Sequence, residues 1–221
     1  GVIGIPIRKT LNLNATEFGL LTATPVLTGS LIRVPLGIWT DRYGGRIVMA
    51  ALMACTVPAS WMMGYATQYW HFIVIGLFVG LAGGSFSVGT PYVARWFPRQ
   101  RQGMAMGVYG AGNSGAAVNK FVAPVLLVAF GWTMVPQVYA AVMLGTLVLF
   151  WLFSHSDPSH LVPSNVRFVD QLKGLKDPKV LKYCQHYSIV FGGYVALSLW
   201  MVQYYVGEFG LDIRVAALLA A

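Results

Sequence analysis

The sequence predicts an all-α integral membrane protein, and three observations carry that prediction. Of its 221 residues, 57% are hydrophobic and only 10% are charged, against about 25% charged in a soluble domain. The mean hydropathy is +0.64. Apolar stretches at residues 18–40, 47–66, 70–94, 103–130, 132–153 and 183–206 each supply the roughly 20 residues that a helix needs to cross a bilayer core.

The elements follow in order from their separators. "DRYGGR", "TQY", "RWFPRQRQ" and a single "GW" divide the first five stretches. The polar, proline-containing run "SHSDPSHLVPSNVRFVDQLKGLKDPKVLK" precedes the sixth. Residues 1–153 therefore read as a first transmembrane bundle, 154–180 as a linker, and 181–221 as the start of a second bundle. "GVIGIPI" at the beginning has the character of a helix's last turns, and "IRVAALLAA" at the end starts a further apolar run. The expectation is a piece of a longer chain: the end of one span, six whole spans and the start of another.

Orientation follows from the Lys/Arg bias of short loops. Arg42, Arg46, Arg95, Arg99, Arg101, Arg167, Lys173, Lys176, Lys179 and Lys182 fall on the side of the linker, whereas Arg8, Lys9 and Arg214 fall on the other. The linker side is thus read as cytoplasmic. The formal charge of +8 reflects this bias rather than a nucleic-acid surface. Cys55 and Cys184 have no CxxC spacing, and the four histidines have no metal-ligand spacing. No Ser-His-Asp or paired-carboxylate pattern stands out, so no enzyme, metal or cofactor is expected.

The chemistry inside the membrane is sparse. Glu17, Asp41, Asp157, Asp170, Asp177, Glu208 and Asp212 all fall at span ends or in loops, yet Arg33 lies within a span. An intramembrane cation is costly and ordinarily faces a cavity with a partner. That partner is either a substrate anion, or backbone carbonyls and an acid elsewhere in the protein. By helix rise, Arg33 lies about 12 Å from the linker-side edge, Phe86 and Phe191 roughly 14 Å, and Asn113 about 18 Å. All four share the midplane of a core about 30 Å thick, the depth at which transporters hold substrate.

Gly110, Gly112 and Gly115 spell G-x-G-x-x-G, the dinucleotide fingerprint. That fingerprint needs a preceding strand and a following acid, and neither is present here. Gly103, Gly107, Gly110, Gly112 and Gly115 are read instead as a helix-packing row that also presents Asn113, since small residues let transmembrane helices approach. Gly76, Gly80, Gly83 and Gly84 make a similar row on the span before.

At this point the residues carry a resemblance. "GIWTDRYGGR" resembles the loop motif of the major facilitator superfamily, with Gly37, Asp41, Arg42, Gly44 and Arg46 in the conformational-loop positions. "RWFPRQRQGMAMGVYGAGNSGAAVNKFVAP" and "GLLTATPVLTGSLIRVPLG" resemble helices five and two of the nitrate/nitrite porter family within it. The resemblance implies the major facilitator fold from the end of helix one to the start of helix eight. It implies a monomer in the plasma (inner) membrane that moves nitrate or nitrite by alternating access. It places the family's substrate arginine on Arg33, its signature asparagine on Asn113, its helix-four aromatic on Phe86, and its helix-seven pair on Tyr187 and Phe191. A second substrate arginine is expected beyond residue 221.

Nitrate suits such a set, because a guanidinium offers a planar fork of donors to a flat anion. Phe86 and Phe191 would then sandwich the anion while Asn113 and Tyr187 donate at its edge. Lys120 has two readings, a cation snorkelling to the headgroups or one at the mouth of an anion path. The fold alone also allows a porter for another small organic or inorganic anion. A membrane redox enzyme is disfavoured, because no haem-type His pair or flavin motif is present.

Overall fold

The computed structural model describes residues 3–156 and 172–220. Among them, six helical spans are long and apolar enough to cross a membrane: Ala15–Tyr43, Gly45–Met63, Tyr69–Trp96, Arg99–Phe130, Met134–Phe153 and Pro178–Phe209. They coincide with the stretches read from the sequence to within a few residues. A short helix α1 (Gly4–Thr10) precedes them and another, α11 (Ile213–Leu219), follows. Most of the linker, residues 157 to 171, lies outside the described residues.

Local signals set the ends of these helices. The first span opens on a capping box: Asn14 Oδ1 accepts from the Glu17 N–H at 2.8 Å, and Glu17 Oε2 accepts from the Asn14 N–H at 3.0 Å. Two orphan donors at the helix start are thereby satisfied. The sixth span, α10 (Pro178–Phe209), starts on Asp177, whose carboxylate accepts from the Lys179 N–H, with Pro178 in the first turn. It ends on Gly210 in the left-handed region at φ 62°, the conformation that glycine adopts without steric cost. Three spans are interrupted at depth. The first splits at Ile32 into α2 (Ala15–Leu31) and α3 (Arg33–Tyr43). The third carries a 3-10 turn at Leu81–Gly84 between α5 (Tyr69–Gly80) and α6 (Ser85–Trp96). The fourth carries one at Ala111–Ser114 between α7 (Arg99–Gly110) and α8 (Gly115–Phe130). The second and fifth spans are single helices, α4 (Gly45–Met63) and α9 (Met134–Phe153).

Packing is closest where the first and third spans cross. A Cβ on Gly80 would sit 2.4 Å from the Pro25 carbonyl oxygen, and one on Gly29 would sit 2.8 Å from the Gly80 oxygen and 3.2 Å from the Gly83 Cα. The two backbones touch there, as small residues permit in lipid. The glycine row of the third span is thus a packing face, as its spacing suggested. The row on the fourth span is not one within this chain: a Cβ on Gly103, Gly107, Gly110, Gly112 or Gly115 would meet nothing within 4 Å among the described residues. A packing role for those five positions is left to partners beyond these residues.

Elsewhere the second span lies against the third and fifth. Leu36, Val48, Leu52 and Val88 form one buried cluster between the first three spans. Val202 of α10 and Ala216 and Ala217 of α11 pack with Ala123 and Val135 in another. Large apolar side chains stand exposed around the periphery, among them Trp70, Leu152, Phe153 and Ile189. Such a surface suits hydrocarbon rather than water.

Gly29→Val is expected to destabilise the full-length protein by at least the roughly 1–3 kcal/mol that overpacking costs, because backbone, not a flexible side chain, blocks the added methyls. Gly145→Val, at an exposed position with no atom near its Cβ, should carry no such steric cost. Thermal melts of both variants in detergent check the contrast; equal melting would remove the crossing as the tight point.

Candidate functional site

Beside the crossing at Gly29 and Gly80 lies a cavity of about 840 Å³, bounded by the first, third and sixth spans and lined on the first from Gly19 to Arg33. Arg33, Phe86, Tyr187 and Phe191 all line it. Each arrives from a break or a register that aims it inward. Arg33 follows the interruption at Ile32, and Phe86 follows the 3-10 turn. Tyr187 and Phe191 stand four apart on α10 and therefore share a face. Their rings stack at 5.2 Å with an interplanar angle of 11°.

Arg33 is the electrostatic feature of the cavity. Its Cζ lies 5.1 Å from the Phe191 ring centroid and 5.9 Å from that of Tyr187. Both distances are within the range of a cation–π contact. Its Nε is buried and has no hydrogen-bond partner among the described residues. None of the cavity's lining residues is acidic. The described acids are all at helix ends: Glu17, Asp177 and Asp212 serve as caps or capping-box partners, Asp41 pairs with Arg95, and Glu208 lies at the far end of α10. A cation held on ring faces, with its Nε unspent among the described residues, has the chemistry to receive an anion.

The structure also redistributes the other expected positions. Tyr187 and Phe191 stack on each other beside the guanidinium, so Phe191 meets Arg33 directly. Asn113 lies in the 3-10 turn Ala111–Ser114, is exposed, and does not line the cavity. Lys120 is only 8% exposed; its Nζ donates to the Ala220 carbonyl at the contact between α8 and α11. It therefore sits in a helix contact here rather than reaching out to headgroups or standing open at a path mouth.

Several neighbours escaped the sequence reading. Ser30 and Ser85 line the cavity; Ser30, three residues before Arg33, could have been found by helical spacing. Tyr109 could not. Its ring lies 5.1 Å from that of Phe86, and its hydroxyl occupies the space that a Cβ on Gly89 would need. Nothing local in the sequence announces that contact.

The loop motif lies at the linker end. Gly44 turns the chain at φ 87°, in the region that favours glycine. Asp41 Oδ1 accepts from Arg95 Nη2 at 2.5 Å, which ties the first span to the third. Arg46 Nη2 donates to the Trp151 carbonyl at 2.6 Å, and its Cζ lies 4.4 Å from the Trp151 ring centroid. Tyr92 donates to the His155 carbonyl at 2.6 Å. The base of the fifth span is thus fastened to the motif and to the third span. Gly37 meets nothing within 4 Å of its Cβ position.

This architecture of apolar spans with a cavity among three of them, and a charged loop fastening one end, is that of a multi-pass membrane protein. The chain matches the family model described as Major Facilitator Superfamily over residues 1–221, and it belongs to that superfamily. Among its curated relatives, it is 39% identical over 234 residues to a probable nitrate/nitrite antiporter, NarK1, of Thermus thermophilus, covering all of this chain and 52% of that one. It is 34% identical over 208 residues to a nitrite extrusion protein of Bacillus subtilis strain 168, covering 93% and 52%. A probable nitrate transporter, NarT, of Staphylococcus epidermidis is 30% identical over 208 residues, covering 93% and 53%. The chain spans about half the length of the curated relatives it matches.

A double-mutant cycle with Arg46→Ala and Trp151→Ala isolates the ring contact, because the Trp151 carbonyl survives in the alanine variant. The expected coupling is about 0.5–1 kcal/mol, the size of an exposed cation–π contact. Thermal stability of the four proteins measures it, and additive effects would show that the ring contributes nothing.

Proposed function

We propose that the full-length protein carries a small inorganic anion, nitrate or nitrite, across the plasma membrane by alternating access, with Arg33 as a direct contact of the anion. One observation carries this reading: a guanidinium inside a central cavity has a buried Nε without a partner and no acid among the lining residues. The names of the relatives, nitrate/nitrite antiporter, nitrite extrusion protein and nitrate transporter, supply the substrate class.

Physical chemistry supports the choice. Nitrate spreads one charge over a flat, weakly hydrated frame. The planar fork of Arg33 can meet its edge, and the stacked rings of Tyr187 and Phe191 shield the guanidinium from behind. Ser30 and Ser85 offer neutral donors to the remaining oxygens. With no carboxylate in the lining to take up a proton, exchange of one anion for the other is favoured over proton symport. The cavity, at about 840 Å³, offers far more space than a four-atom anion fills. That volume favours a second reading, a porter for a larger organic anion, which competition against nitrate would expose.

The ten cations on the linker side support a cytoplasmic position for residues 154–180; on this reading residues 1–153 and 181–221 belong to separate bundles of the whole carrier. A cysteine at Gly174, with Cys55 and Cys184 replaced by serine, is expected to react with an impermeant maleimide only after lysis. Reaction in intact cells would reverse the orientation.

Arg33→Lys keeps the charge but loses the fork. Nitrate affinity of the purified full-length protein is expected to fall by about 1.5–3 kcal/mol, the range for a charged hydrogen bond, hence roughly tenfold or more. Arg33→Ala should be weaker still. A normally eluting Arg33→Ala protein that binds nitrate like wild type would make Arg33 structural and move the site elsewhere.

A further inference from the structure

Phe191, Val195, Leu199 and Trp200 of α10 line the cavity, and the following turns of the same helix carry Gln203 and Gly207. Those last two line a separate cleft of about 440 Å³ together with Arg8, Lys9 and Asn12. Gln203 lies twelve residues beyond Phe191, about 18 Å further along the axis, toward the end of the bundle opposite the linker.

Between the two spaces stands an aromatic pair. Phe18, buried at 2% exposure, meets Trp200 edge to face at 6.0 Å. The guanidinium of Arg8 lies 5.5 Å from the other partner of that contact, the Phe18 ring. One cation of the cleft is therefore seated directly on the partition.

The cleft has the donor chemistry of an anion site. Two cations and two side-chain amides face it, and no carboxylate is among its lining residues. Arg8 spends only its Nε, on the Leu13 carbonyl at 3.4 Å. The nearest acids are otherwise engaged or aimed away: Glu17 closes the capping box with Asn14, and Glu208 follows Gly207 without lining the cleft. A basic last turn suits the C-terminal dipole of α1. That accounts for the sign of Arg8 and Lys9, but not for Gln203 facing them from another span.

We infer that this cleft is a second anion site, at the outer mouth of the path, which gathers a small oxyanion before the Phe18–Trp200 pair parts to admit it to Arg33. The inference rests on the anion-carrier reading and adds to it a place, a donor set and a partition. A phosphate from a lipid headgroup would meet the same donors, so the test separates the two sources.

The full-length protein is reconstituted in vesicles of zwitterionic lipid, and nitrate counterflow is measured with substrate supplied from the Arg8 side. For the double variant Arg8→Gln, Lys9→Gln, KM is expected to rise by about tenfold at low ionic strength, the lower end of electrostatic steering effects. The difference should shrink as an impermeant salt is added, because exposed charges are screened. The maximal rate, KM from the linker side, and nitrate affinity at the Arg33 site should stay at wild-type values. Gln203→Ala, which keeps both charges, should raise KM without changing its salt dependence, and it serves where the double variant fails to fold. An unchanged KM from the Arg8 side in folded variants overturns the outer site while leaving Arg33 in place. A KM effect that is absent in zwitterionic vesicles and present only with anionic lipid assigns the cleft to a headgroup and also overturns it. Absence of any nitrate or nitrite counterflow in wild type overturns the carrier reading, and the outer site with it.

Discussion

Backbone-to-backbone contact between the first and third spans is the constraint on which the rest of this structure depends. Lipid gives two apolar helices no hydrophobic reason to associate, so closeness has to come from the absence of side chains. Gly29, Gly80 and Gly83 supply that absence: a Cβ on Gly80 would sit only 2.4 Å from the Pro25 carbonyl oxygen, far inside van der Waals contact. Once the helices touch at that point, Arg33 lies one turn beyond Gly29 and Phe86 follows shortly after Gly83. Both then open into the same cavity. The site exists because a crossing without side chains is followed, on each helix, by residues with large ones.

The second governing fact is how charge is disposed. The described acids serve at helix ends, where they cap or pair, and only Arg33 carries charge into the central cavity. Such a cation at depth is tolerable because the faces of Tyr187 and Phe191 share its cost. The loop cations are handled differently. Arg46 and Arg95 are spent on a tryptophan face, a carbonyl and a carboxylate, which bind the ends of neighbouring spans together. One residue type thus fastens the rim and furnishes the centre: Arg46 and Arg95 each spend an Nη2 on a neighbouring span, whereas Arg33 meets only ring faces among the described residues.

Much of this was legible in the sequence, for a physical reason. Membrane spans announce themselves through uninterrupted hydropathy, so Ala15–Tyr43 and Pro178–Phe209 were foreseen as 18–40 and 183–206, with capping residues extending each end. Arg33 stood out because charge inside an apolar run is rare, and Tyr187 and Phe191 because four-residue spacing fixes a shared face. What could not be read depends on which helix lies next to which. Among the described residues the glycines of the third span meet a neighbour and those of the fourth do not, although their spacings are alike. Asn113 falls at the right depth but outside the cavity. Lys120 is buried by α11, an element far away in the chain. Depth is a one-dimensional quantity, and neighbourhood is not.

The two 3-10 turns add a geometric consequence. Such a turn advances about 120° per residue, where an α-helix advances about 100°. Across the four residues Ala111–Ser114 the chain therefore gains about 80° of azimuth over the helix it interrupts, and the same holds across Leu81–Gly84. Side chains on either side of these points belong to two helices set out of phase by roughly a fifth of a revolution. A stripe of residues counted by threes and fours from Gly103 arrives at Gly115 pointing in a different direction from the one the counting implies. The third span turns the same offset to use: Gly80, before its turn, points at the first span's Pro25, and Phe86, after it, looks into the open space beside Arg33.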